Sequence, residues 1–187
     1  MPGLSKKSKK SNTLRRKPRA KKNTHRTRTR RVKKMGGMYH KKMGGNVPLT
    51  NATIRNVVAD FLAGGIAKTN IVNQYGHINQ WNTSAITSMN DLFKDATNFN
   101  EPLGNWDVSK VTNMSGMFAD AKKFNQPLTN WDVSNVTNMS DMFRGATSFN
   151  KSINHWDVSK VTDMTRIFDG ATNFNQPINY WNLTNVR

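Results

Sequence analysis

Trp131-Asp132-Val133-Ser134-Asn135-Val136-Thr137-Asn138-Met139-Ser140-Asp141-Met142-Phe143 is the clearest copy of a pattern that the chain writes four times and begins a fifth. Trp81, Trp106, Trp131, Trp156 and Trp181 stand 25 residues apart. Phe99, Phe124, Phe149 and Phe174 keep the same step, each followed by Asn. A fixed period of roughly 20–50 residues marks a repeat array. A lone repeat carries too few large apolar side chains to offset the entropy of ordering its backbone. The repeats must therefore stack, each covering the apolar face of the next.

Two local structures are legible inside one period. Leu128, Trp131 and Val133 have Leu-x-x-Leu-x-Leu spacing, and Trp131-Asp132-Val133 alternates as a short strand does. Met139, Met142, Phe143 and Ala146 have helical spacing, with Thr137 placed to cap that turn. The reading is an LRR-like repeat solenoid. Each 25-residue coil would hold a short parallel strand and a short helical turn. Strands of successive coils would pair about 4.8 Å apart. The Met, Trp and Phe columns read as structural core rather than as a cofactor box.

Working outward, residues 46–74 read as an N-terminal cap and lead-in, and residues 75–187 as the repeats. Ile54, Val57, Val58, Phe61 and Leu62 form one apolar stripe, which predicts a helix over 50–63. Thr50 or Asn51 would cap its start and Gly64-Gly65 would end it. Such a helix is placed to cover the open apolar end of the first coil. Gly64-Gly65-Ile66-Ala67-Lys68-Thr69 glances at a phosphate-binding loop. Ala67 and Leu62 stand where that motif requires glycines, so the segment reads as a helix C-cap and turn. The chain stops before a fifth Met-x-x-Met-Phe turn. The last strand, near Trp181, would then be an open edge that invites self-association or a partner.

Charge divides the 187 residues sharply: residues 1–45 hold 18 Lys and Arg and no acid, whereas residues 46–187 hold 11 basic and 11 acidic residues. The basic residues of the first segment include Lys6, Lys7, Lys9, Lys10, Arg15, Arg16, Lys17, Arg19, Lys21 and Lys22. Arg26, Arg28, Arg30, Arg31, Lys33 and Lys34 continue the series. High charge with almost no large apolar residues predicts a disordered basic tail. Lys/Arg runs this dense usually meet polyanions, so these residues are the candidate contacts to nucleic acid or another polyanion. Phosphate contacts supply affinity with little sequence preference. A solvated tail that only aids solubility is the bland alternative. Arg15 to Lys22 also has the look of a nuclear import signal.

There is no cysteine, hence no disulfide framework or thiolate metal site. No apolar signal segment stands near the N-terminus, and no run approaches membrane-spanning length. The expectation is a protein not secreted by a signal peptide, and intracellular, nuclear or virion-associated instead. Asn-x-Ser/Thr triplets such as Asn113-Met114-Ser115 follow from the abundance of Asn.

The remaining polar signals are columns. Asn100, Asn125, Asn150 and Asn175 should stack and satisfy backbone groups of neighbouring coils. Asp107, Asp132 and Asp157, with Asn82 and Asn182 at the ends, form another column. Asp before Val-Ser can hold backbone N–H groups of its own turn, and that reading outweighs a Ca²⁺ row. Glu101 is the only Glu and has no marked carboxylate partner for glycoside chemistry. His77 and His155 stand alone. These features predict no enzyme, no cofactor and no metal.

The run Trp-Asp-Val-Ser-x-Val-Thr-x-Met-x-x-Met-Phe-x-x-Ala-x-x-Phe-Asn-x-Pro-Leu resembles the BspA-like leucine-rich-repeat surface proteins. More narrowly it resembles the DUF285 repeat known from mycoplasma lipoproteins, also found in large DNA viruses and microbial eukaryotes. The resemblance covers residues 50–187 and implies an LRR-like solenoid for surface display or protein interaction, without known catalytic residues. The basic tail and the lack of a signal or lipobox depart from the bacterial members. The first reading is a protein-interaction module with an unknown protein partner and a polyanion-binding tail. A structural or virion-associated display protein is the second, and a glycan-acting enzyme the last.

Overall fold

The computed structural model describes residues 47–187. The basic segment and its Lys/Arg contacts lie outside the described residues. Two helices open the described part: α1, Ile54–Ala63, and α2, Gly65–Tyr75. A single 3₁₀ turn, Ile78–Gln80, leads into the first repeat.

α1 forms because Ile54, Val57, Val58 and Phe61 fall on one face and are buried there. It starts at Ile54, with its apolar stripe, rather than at residue 50 as predicted. Residues 51–53 are a turn, in which the Thr50 carbonyl accepts the N–H groups of Thr53 and Ile54 at 3.0 and 2.9 Å. Neither Thr50 nor Asn51 serves as the helix cap. Asn51 is drawn away to the first repeat, where its Oδ1 accepts the N–H of Thr87 at 3.0 Å. Gly64, at φ 74°, reverses the chain, a conformation that a β-carbon would strain. The turn expected after it is instead α2, which begins at once and buries Ile71.

From Trp81 onward the repeats stack in register. Phe93, Phe118, Phe143 and Phe168 form one column, with ring centroids 5.6–5.8 Å apart and planes within 10°. Phe99, Phe124, Phe149 and Phe174 form a second, 5.8–6.0 Å apart. Within each repeat the two rings lie face to face at 4.0–4.2 Å. Trp81, Trp106, Trp131, Trp156 and Trp181 are all buried. Each Trp from the second repeat on donates Nε1–H to a backbone carbonyl of the preceding repeat: Trp106 to Ile78, Trp131 to Leu103, Trp156 to Leu128, Trp181 to Ile153. That bond meets the need of a buried indole N–H and fixes the ring's rotation. Phe61 of α1 closes the column by standing edge-on to Trp81 at 5.5 Å.

The strand-and-helix solenoid of LRR type is overturned. Among the described residues the repeats contain no strand and no helix. Contact between repeats at strand-like positions shrinks to isolated parallel bridges, Ser88 to Asn113, Asn113 to Asn138 and Asn138 to Asp163. The reason for the missing helix lies at Asp141 and Gly145, whose φ angles are 55° and 65°. Both leave the right-handed path that Met139, Met142, Phe143 and Ala146 would need. The backbone N–H groups then alternate in direction. Those of Met139, Asp141, Phe143 and Gly145 donate to Asp163, Thr165, Ile167 and Asp169 of the next repeat at 2.7–2.9 Å. Those between, of Met142, Arg144 and Ala146, turn back to Met139, Asp141 and Phe143 at 3.0–3.2 Å. A segment that spends every second N–H on its neighbour cannot complete an α-helical ladder.

The strand at Trp131-Asp132-Val133 fails for a similar reason. Trp131 N–H returns to Leu128 and Val136 N–H to Val133, so turns enclose it on both sides. Too few extended residues remain to pair.

Candidate functional site

Side chains that sequence patterning offers for chemistry are tied into turns. Asp107 Oδ1 accepts the Ser109 hydroxyl at 2.7 Å and the Ser109 N–H at 3.0 Å. Asp132 and Asp157 hold Ser134 and Ser159 N–H groups at 3.0 Å in the same way. Asn82 and Asn182 do so for Ser84 and Thr184. The Ser109 hydroxyl, then its N–H, holds the Asp107 carboxyl below its ordinary range, and Lys110 adds to this. The Ser159 hydroxyl and N–H act likewise on Asp157. The Thr165 N–H, then its hydroxyl, lowers Asp163. Hydrogen bonds to the charged form are the cause in each case. No group of three His, Cys, Asp or Glu among the described residues could hold a metal ion.

The Asn column works between repeats. Asn100 Oδ1 accepts the Asn125 N–H, Asn125 Oδ1 that of Asn150, and Asn150 Oδ1 that of Asn175, at 2.9–3.0 Å. Gln126 and Gln176 add second donors to Asn100 and Asn150. Thr112, Thr137 and Thr162 each donate both N–H and hydroxyl to the carbonyl of the Thr one repeat back. These polar rows are a second fastening outside the aromatic core.

Two further constellations are not among the candidates that the sequence offers. One is a chain of ions crossing three repeats: Asp120 to Arg144 at 2.6 Å, Arg144 to Asp141 at 3.3 Å, and Asp141 to Arg166 at 2.9 Å. The repeat offset between Asp141 and Arg166 is the signal that could have revealed it. The other is a cleft between α2 and the first repeat, of about 490 Å³, bordered by Phe61, Lys68, Val72, His77, Ile78 and Glu101. Lys68 Nζ lies 3.3 Å from Glu101 and 4.2 Å from the centre of the Phe61 ring. Lys68 thus ties α2 to the first repeat. His155 Nε2 lies 2.9 Å from the Thr129 carbonyl oxygen. At the last repeat Ile178, Tyr180 and Leu183 are exposed. No helix of the described residues is long and apolar enough to cross a membrane.

The described residues therefore define a helix-capped stack of turn-built repeats, held by aromatic columns and polar rows. The family model DUF285, described as Mycoplasma protein of unknown function, matches residues 60–181, and the chain belongs to this family. No curated protein and no solved structure matched the chain.

Proposed function

We propose that this is a non-enzymatic binding protein in which the repeats present a protein-interaction surface and residues 1–45 bind nucleic acid or another polyanion. The observation that carries this reading is the charge partition: the whole excess of +18 belongs to the first 45 residues, and the remainder is neutral. Lys and Arg at that density attract phosphates by charge and read no base edge. On the repeats, the Asp, Asn and Thr rows serve neighbouring backbone groups, which favours recognition by shape over bond-making chemistry.

The test is titration of duplex DNA with the full chain and with a chain lacking residues 1–45, at two salt concentrations. With about ten phosphate contacts, log K should fall with log salt at a slope near −9. Gln substitutions at Arg15, Arg16, Lys17, Lys21 and Lys22 should weaken binding evenly across DNA sequences. Equal binding by the shortened chain would refute the assignment. Turnover of a glycan by the shortened chain would refute the non-enzymatic reading.

A further inference from the structure

We draw no further inference here: the strongest candidate, the face of the last repeat where the amide N–H groups of Met164, Arg166, Phe168 and Gly170 find no acceptor among the described residues and Ile178, Tyr180 and Leu183 stand exposed, carries none because nothing in the structure shows what covers it.

Discussion

Arg55 of α1 donates to Asn90 twice, from Nη1 to the backbone carbonyl at 2.8 Å and from Nη2 to the side-chain oxygen at 2.5 Å. Inside the stack, the carbonyl at the matching position of later repeats, Ser115 or Ser140, accepts an N–H from the repeat before it. The first repeat has no predecessor, and a guanidinium takes that place. The exchange suits the chemistry: along this segment the carbonyls of Asn113, Ser115, Met117 and Ala119 accept from the preceding repeat and so point toward this end, and a cation complements the matching carbonyl of the first repeat. Arg55→Ala should lower stability by about 1–2 kcal/mol, in the range for a hydrogen bond to a charged group near the surface. Arg55→Lys should recover only part, since one ammonium cannot match the fork. Denaturant midpoints of the full chain decide this, and equal midpoints for the parent and Arg55→Ala would remove the capping role.

Trp131 sits between two complete repeats and stacks on Trp156 with centroids 6.4 Å apart. Trp131→Ala should cost roughly 3–5 kcal/mol. Trp131→Phe keeps much of the ring but removes the indole N–H from the Leu103 carbonyl, which then holds the Trp106 N–H alone. That variant should cost about 1–3 kcal/mol, and more than a volume change alone. A loss under about 1 kcal/mol for Trp131→Ala would mean that the indole does not hold the stack.

Two glycines separate the contributions of backbone conformation and space. At Gly145, φ 65° is unfavourable for a β-carbon, which would also run into the Asp120 carboxylate. Gly104 shows no positive φ, and its β-carbon would meet the Pro127 carbonyl at an ordinary 3.6 Å. Gly145→Ala should therefore lose more than about 1 kcal/mol, whereas Gly104→Ala should be neutral or gain about 0.4–1 kcal/mol. Thermal melts showing the two variants alike would mean that the left-handed turn does not constrain the repeat.

Asp107, Asp157 and Asp163 have carboxyl pKa values below the ordinary 3.8 because hydroxyl and N–H donors stabilise the charged form. A lowered folded-state pKa contributes stability above the unfolded value, and that contribution is lost as pH falls through the folded value. Stability should be level from about pH 5 to 7 and drop below about pH 4. Asp107→Asn should keep the turn, since Asn82 and Asn182 hold the same bond, and should lessen the acid sensitivity. Melting temperatures at pH 7 and pH 3 check this. An Asp107→Asn variant as acid-sensitive as the parent would free Asp107 of that role.

By itself the sequence determined the period, family membership and the partition of charge. These are properties of composition and spacing, and Trp131 with its counterparts 25 residues away displays them without coordinates. Of the α1 stripe, Ile54, Val57, Val58 and Phe61 were legible too, because one helix face needs only its own residues, whereas Leu62, read into the same stripe, is exposed. Only the tertiary structure decided the backbone path inside each repeat. Met139, Met142 and Phe143 have the spacing of a helix, but that spacing says nothing of where an N–H finds its acceptor. Asp163, Thr165, Ile167 and Asp169 of the next repeat supply those acceptors, and Asp141 and Gly145 adopt positive φ to reach them. The α2 helix and the Asp120–Arg144–Asp141–Arg166 chain were hidden for the same physical reason: partners a repeat or more away in sequence, such as Lys68 and Glu101, meet only once the repeats stack.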